Sequence, residues 1–541
     1  MRRTPWLPAA LVAAGLCAAG ICAVAAYGAV AGARTADGTL TADLPVDVDS
    51  TDPALDYVST GWEIEYATCL KLMNYPDAGG RKGTRPVPEA AAAYPKVTNA
   101  GKTYDFDVRA GFTRFSNGLP VTAADFKAAI DRDADPKMNS PARPFLSDIV
   151  GSRSSPVSGV KVKGTHLIVT LARPAPDFVD RMAMPFFCAI PANLPHDPAG
   201  VLAPPSAGPY YISERVPNRS VTLERNPNYH GKRPHAVSRI VYDIGNSPAA
   251  TYLRVQQGSS DYAAGGIPAA AYAGAAKLYG VGKGRFWVEP QLGVRYLAFN
   301  HDRPLFRGAK GIALAKAINF AVDRRAIVEQ DGYGAARPSD QILAPGIPGH
   351  RETALYPLEG PDFATAKKWA ARAGVRPGTK IEYYASNTAA SAAAAQILTY
   401  DLEQIGLHVD THLYPRAEQI RREGVRGAPF DIASEGWIAD YADPYDVVNV
   451  LLGGDGLRAS RNDNVAYFDD PVYNRRMKAA AALTGAKRAA AYGVLARAMM
   501  RDDPPWAPLG NVNDRILLSA QVGCFTYNAI YGVDLAALCL K

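Results

Sequence analysis

The chain is sparing with the groups that catalysis and metal binding call on. Its 541 residues include eight histidines and six cysteines. There is no H-E-x-x-H and no G-x-S-x-G, which excludes a zincin helix and a nucleophile elbow. There is no C-x-x-C, the spacing of a redox motif or a zinc knuckle. Gly101-Lys102-Thr103 ends like a P-loop, but Lys96 stands where the first glycine belongs. The stretch GVGKGR around Val281–Gly284 is too short for a dinucleotide fingerprint. His408 and His412 fall four apart on an expected strand and so on one face, yet no third ligand is placed beside them, and no metal site is expected. No run of five or more Lys/Arg occurs, so the net charge of +7 reads as a solvated surface and not as a nucleic-acid footprint.

Long apolar runs are absent too, except at the start. Arg2-Arg3 precedes an apolar stretch from Leu7 to Val30, and Ala31-Gly32-Ala33 is an A-x-A cleavage pattern. The stretch is long for a signal and approaches the roughly 20 residues that span a bilayer. Residues 1–33 are therefore expected to be a signal peptide or an N-terminal anchor. Cys17 and Cys22 lie inside that stretch, leaving Cys69, Cys188, Cys524 and Cys539. An even number of cysteines in an exported chain favours disulfides, with three connectivities open. Cys524–Cys539 would close a short loop worth roughly 3 kcal/mol in the chain-entropy model. Cys69–Cys188 is then the implied second pair, and buried free thiols are the alternative. At 48% hydrophobic and 21% charged residues the composition is that of an ordinary globular protein. Its length calls for two or three domains.

What is present is a succession of short, well-punctuated elements. In Gly101–Ile130, GKTYDFDVRAGFTRFSNGLPVTAADFKAAI, the residues Tyr104, Phe106 and Val108 alternate with Asp105, Asp107 and Arg109. That is the period of a strand with one buried face. Ser116-Asn117-Gly118 supplies a turn, because Asn and Gly tolerate positive φ. Thr122 with Asp125 three residues on suits a helix start. Ala207–Ile212 leads into Val221–Tyr229, VTLERNPNY, a strand closed by an Asn-Pro-Asn turn. Tyr252–Tyr262 reads as helix, glycine and an acidic-aromatic strand. A short strand, Tyr296–Asn300, precedes a helix with one apolar stripe at Ile312, Ala315, Ile318 and Val322. Ala364–Ala373 is a helix ending at Gly374, Ala389–Ile405 one ending at Gly406, and Leu407–Leu413 alternates as a strand. Such alternation implies an α/β protein without internal repeats.

In this order the blocks resemble the family 5 extracytoplasmic solute-binding proteins, the substrate-binding proteins of peptide and nickel ABC transporters. Residues 34–60, where Asp52-Pro53 precedes Leu55-Asp56, resemble the mature start of the family, and the resemblance covers about residues 45–515. It implies an α/β, two-lobed periplasmic-binding-protein-like fold (type II, cluster C) with an extra domain inserted in lobe I. Domain I would comprise 40–75, 208–292 and 503–541, the inserted domain II 76–207, and domain III 293–502. Two strands crossing between the lobes would form a hinge. The implied protein is no enzyme and needs no cofactor. It would be a monomer outside the cytoplasm in the cell envelope, secreted or membrane-anchored, with no nucleic-acid partner. It would bind oligopeptides in a hinged inter-lobe cleft and deliver them to ABC transporter permease subunits. The same fold takes nickel chelates, haem, opines or sugars, and a membrane-tethered sensor or an exported hydrolase are the rival readings. Relatives are often lipoproteins whose signal ends in a small residue before the lipidated Cys; Leu16 and Ile21 depart from that pattern.

The resemblance also points to ligand-binding residues. Within Phe430–Pro444, FDIASEGWIADYADP, Asp440 stands where peptide-binding relatives place an aspartate that accepts the ligand's α-ammonium group. A carboxylate in a dry cleft makes a strong charge-assisted bond to a cation that would otherwise be penalised by burial. Trp437 and Tyr441 would supply flat walls. Asn300 falls where the family lines the cleft. The competing readings are a turn carboxylate for Asp440, core packing for Trp437, and packing or turn capping for Asn300. Asp443-Pro444 reads as a helix cap. Some dipeptide-binding relatives carry an arginine just before the helix that corresponds to Ala389–Ile405, but Tyr383–Asn387 holds no basic residue and Arg416 is the only substitute.

Overall fold

Period-2 strands and tight turns build three larger sheets, besides three two-stranded ones, in the computed structural model, which describes residues 38–541. The expected signal or anchor segment, residues 1–33, lies outside the described residues. Among the described residues no helix is long and apolar enough to cross a membrane. In the first sheet Thr39–Leu44 runs parallel to Arg239–Ile244, which pairs antiparallel with Ser220–Arg225 and through it with Tyr210–Val216. The second sheet is antiparallel, in the order Lys96–Thr98, Thr103–Asp107, His166–Thr170, Val160–Lys163. Tyr104 and Phe106 bury the face that their alternation predicts.

The third sheet has six strands, and its middle is a pair longer than the sequence suggests. The expected strand Tyr296–Asn300 is the end of a 14-residue strand, Phe286–Phe299, paired antiparallel with Trp506–Leu517. Ala336–Pro338 flanks the pair on one side. On the other lie Ile432–Ile438, Thr379–Ser386 and Leu407–Tyr414. Two further readings change. The helix Gly308–Ala321 carries no single stripe: Ile312 is only half-buried, whereas Gly311, Ala313, Leu314, Ala317 and Ile318 are all buried. Its small residues let it sink into the core from several sides. Tyr262 lies on no strand; it makes bridges to Ala42 and Leu518 after the helix Pro248–Gln257 ends at Gly258 in the left-handed conformation.

Hydrogen bonds bring the sequence blocks together in space. Thr122 donates its backbone N–H and its hydroxyl to Asp125 Oδ2, at 2.7 and 2.8 Å, at the start of the helix Ala123–Ala134. Gly118, at φ +84°, closes the turn expected there. Asn228 of the Asn-Pro-Asn turn donates its amide to the carbonyls of Phe115 and Ser116, each at 3.3 Å. Arg132 of the same helix clamps the fully buried Asp52 with two bonds of 2.5 and 2.6 Å. Three distant blocks thus meet at one place.

Two disulfides are present, Cys69–Cys188 and Cys524–Cys539, with sequence separations of 119 and 15. Cys69 Sγ also lies 3.1 Å from the buried Glu65 carboxylate. The longer loop removes more disorder from the unfolded chain, about 4.7 kcal/mol for a loop of about 100 residues against about 3 for about 15. Replacing Cys69 and Cys188 by Ala should therefore lower the unfolding free energy more than the same change at Cys524 and Cys539. Denaturant titration of the two double variants checks this order, and equal losses would contradict it.

Candidate functional site

Antiparallel pairing with Phe286–Phe299 sets Trp437 opposite Val294 and Ile438 opposite Gly293. The chain then turns through Ala439–Asp443 into the helix Pro444–Leu452. Asp443 caps that helix, its Oδ1 accepting from Tyr445 N at 2.8 Å, and proline fits the next position because it needs no donor there. From the first turn Asp446 reaches back. Its Oδ2 accepts from Asp440 N and from Trp437 Nε1, both at 3.0 Å. One buried carboxyl thereby holds both the indole and the backbone at Asp440.

Three cavities lie in a row beside this turn. One of about 330 Å³, with Glu63, Gln291 and Asp514 in its wall, shares Ser59, Ile438 and Ile530 with a second of about 370 Å³. The second shares Tyr57, Trp437 and Asp440 with a third of about 670 Å³. Asp440 stands at that junction, 8% exposed, and Tyr57 donates its hydroxyl to Asp440 Oδ2 at 3.1 Å. The Tyr57 ring leans on Trp62 and Phe186, with centroids 5.9 and 5.8 Å away. Burial pushes the Asp440 carboxyl well above its ordinary range, the neighbouring Asp446 adds to this, and the Tyr57 hydroxyl opposes it. Burial likewise lifts Asp446 to about 7, against the bonds from Trp437 and Asp440 N. Both carboxyls are thus shifted toward their protonated forms.

Around the turn runs a buried network of charges. Tyr441 donates to Asp177 Oδ2 at 3.0 Å, and Arg181 bridges Asp177 and Asp148, at 2.8 Å to each. Arg488 holds both oxygens of Asp443 at 2.8 Å. Arg173 pairs with Asp148 and donates to Tyr445 Oη at 2.9 Å. Segments near 148–181 and 441–445 are thus tied by the Tyr441–Asp177 and Arg173–Tyr445 hydrogen bonds, and the buried ion pairs behind them cost several kcal/mol to break from one side.

Of the residues singled out from sequence, Trp437, Asp440 and Tyr441 come together, although Tyr441 also acts as an anchor in this network. Asn300 does not join them. It is fully buried, donates to Phe430 O at 3.0 Å and accepts from Asp302 N at 3.1 Å, so both ends of its amide are spent on backbone, and it lines none of the three cavities. Turn capping is the role its geometry gives it. Arg416 is engaged by Glu435, at 2.7 and 3.1 Å, and His412 by Glu382 at 2.8 Å. Sequence reasoning missed Tyr57, Asp446 and Arg173. Asp446 carried a signal, since it lies six residues after Asp440 in the first turn of a capped helix; Tyr57 carried none.

Because the Asp446 carboxyl is raised from 3.8 to about 7, it stabilises the fold below its ordinary range and loses that contribution as pH rises through about 7. Asp446→Asn keeps an oxygen acceptor for Trp437 and Asp440 N while removing the charge. The fall in melting temperature of the ligand-free protein between about pH 4 and about pH 7 should therefore be shallower in Asp446→Asn than in wild type. Calorimetric scans across that window decide it; parallel profiles would contradict the assignment.

A fold of this kind has many relatives. Residues 85–458 match the family model described as "Bacterial extracellular solute-binding proteins, family 5 Middle". The chain is 24% identical over 449 residues to the oligopeptide-binding protein OppA of Bacillus subtilis (strain 168), covering 78% of this chain and 79% of that one. It is also 24% identical over 490 residues to heme-binding protein A of Haemophilus influenzae, covering 84% and 85%. Among solved structures, clavulanic acid biosynthesis oligopeptide binding protein 2 superposes with a TM-score of 0.84 at 23% identity, covering 93% of this chain and 95% of that one. The fold is accordingly the two-lobed periplasmic-binding-protein fold, and the chain belongs to the family 5 bacterial extracellular solute-binding proteins.

Proposed function

We propose that this chain is the extracytoplasmic substrate-binding protein of an ABC importer, taking oligopeptides into the row of cavities and handing them to permease subunits. The observation that carries this reading is the placing of Asp440, a buried carboxyl at the junction of two cavities with an indole beside it. An α-ammonium group arriving there exchanges water for a charge-assisted bond and draws the proton off Asp440. The row of cavities suits an extended ligand better than a compact one. The strand Ile432–Ile438 supports a peptide further: Thr379–Ser386 pairs with it only at Ile432 and Ala433, leaving the edge at 435–438 without a strand partner. A peptide main chain can add to such an edge whatever its sequence. Arg173, Arg458 and Arg461 on the walls of the third cavity of the row offer cations to carboxylates of the ligand.

In this reading 40–75, 208–292 and 503–541 form domain I, 76–207 domain II and 293–502 domain III. Phe286–Phe299 and Trp506–Leu517 are the crossing strands about which the lobes close, and the closed form docks on the permease. The protein acts as a monomer, exported, with residues 1–33 as its signal or anchor. The names of the relatives support binding of peptides, and one of them names heme. Mass spectrometry of the ligand released on denaturing the purified protein separates the two; a heterogeneous peptide pool is expected, and haem or a sugar would overturn the proposal.

Asp440→Asn should weaken peptides with a free amino terminus by roughly ten- to hundredfold, the value of a hydrogen bond to a charged group, and N-acetylated peptides much less. Equal losses for both would remove Asp440 from this role. Binding of a free-amine peptide should also release protons, because the ammonium lowers a carboxyl that the empty site holds high. Affinity for such peptides therefore falls as pH falls. Calorimetry in buffers of different ionisation enthalpy measures the release, and no release in wild type would contradict the reading.

A further inference from the structure

A second cavity system has no part in the row around Asp440. It encloses about 380 Å³ between Asn74–Ala92, Arg109–Phe112 and Tyr229–Arg233, and it shares no residue with the three cavities of the candidate site. Its volume is far above the roughly 30 Å³ share of one water and falls in the range of about 300–1,000 Å³ used by small ligands.

Its wall holds buried polar atoms without hydrogen-bond partners. Arg233, 7% exposed, leaves Nε and Nη2 unpartnered, and Asn74, 4% exposed, leaves Oδ1. Glu89, also 7% exposed, leaves Oε1, and Asp77 leaves Oδ1. These groups face one another without closing: Arg233 Nε is 3.5 Å from Asp77 Oδ1, and Arg233 Nη1 is 3.7 Å from Glu89 Oε1. Glu89 cannot swing freely, because its Oε2 accepts from Lys71 N at 2.9 Å. Arg109 lies 3.6 Å over the Phe112 ring with its own Nε unpartnered. Each buried donor or acceptor left unpaired costs about 1–3 kcal/mol, so several in one wall are a preorganised set of contacts.

We propose that this cavity binds a free α-amino acid with an apolar side chain. Idle donors on Arg233 and Arg109 suit a carboxylate, and idle acceptors on Asn74, Asp77 and Glu89 suit an ammonium. Arg109, Lys232 and Arg233 against Asp77 and Glu89 leave the wall close to charge balance, which favours a zwitterion over a multiply charged ion. Val87, Phe112 and Tyr229 provide the apolar part of the wall. Entry is past Ala92 and Lys232, which are exposed. Tyr229 belongs to the Asn-Pro-Asn-Tyr block, so the motif that docks on the Ser116 turn also closes this cavity.

The proposal does not depend on the peptide reading, and titration calorimetry of the full chain with L-leucine tests it. L-Leucine should bind one molecule per chain, with N-acetyl-L-leucine and L-leucinamide weaker by about tenfold or more, since each lacks one of the two charges. Asp440→Asn should leave leucine binding unchanged. Ala92→Trp, which fills the mouth from an exposed position, should weaken it by about tenfold or more. A melting curve of Ala92→Trp that matches wild type shows that the fold is kept. No leucine heat at millimolar concentration would overturn the proposal. So would leucine binding that Asp440→Asn abolishes and Ala92→Trp leaves intact, or equal affinity for leucine and its two blocked forms.

Discussion

Antiparallel pairing of Phe286–Phe299 with Trp506–Leu517 is the constraint on which the rest of the molecule depends. The ladder runs from Phe286 opposite Leu517 to Ala298 opposite Trp506, with register shifts between Pro290 and Val294 and between Arg295 and Tyr296. At one end Ile516 and Leu518 pack with the first sheet. At the other, Leu297, Phe299, Ala507 and Leu509 enter the core under the third sheet. At that same end but on the opposite face, Tyr296 stacks on Trp506, centroids 3.8 Å apart, inside the largest core. A slip of one residue would turn every one of these side chains to the wrong face, so three cores hold the register together. The same ribbon furnishes Val294, Gln291, Val512 and Asp514 to the cavities, so cavity walls and core packing share a backbone.

Beside this ribbon the site stores carboxyls where water does not neutralise them. Burial makes the charged forms of Asp440 and Asp446 costly, a cost that a nearby cation or hydrogen-bond donor reduces. The charges that are paired, Arg181 with Asp177 and Asp148 and Arg488 with Asp443, brace the turn that carries Asp440. Ion pairs of this kind add little net stability because desolvation offsets their attraction, but removing one partner is expensive, so they resist alternative arrangements of the turn. Rigidity around a buried carboxyl is what a binding site needs.

Legibility followed the range of the interaction. The strand through Tyr104 and Phe106, the Thr122–Asp125 helix start, the Gly374 stop and the Asp443-Pro444 cap were readable because each depends on residues two to four positions apart. Tertiary packing overrode the local pattern elsewhere. Tyr296–Asn300 grew into a 14-residue strand because Trp506–Leu517 was there to pair with it, and Gly308–Ala321 lost its single stripe because small residues let neighbours close over it. Asn300 looked like a cleft residue by its place at a strand end, yet the carbonyl of Phe430 and the N–H of Asp302 claim its amide.

Sequence alone determined the α/β class, the order of blocks that marks the family, and the candidate segment Trp437–Asp440. Only the tertiary structure decided what surrounds that segment. Tyr57 reaches Asp440 across 383 positions, and Arg173 reaches Tyr445 across 272. No periodicity in a chain encodes such pairs, because they arise when separate sheets, each satisfied locally, pack against one another and leave particular polar groups facing a shared space.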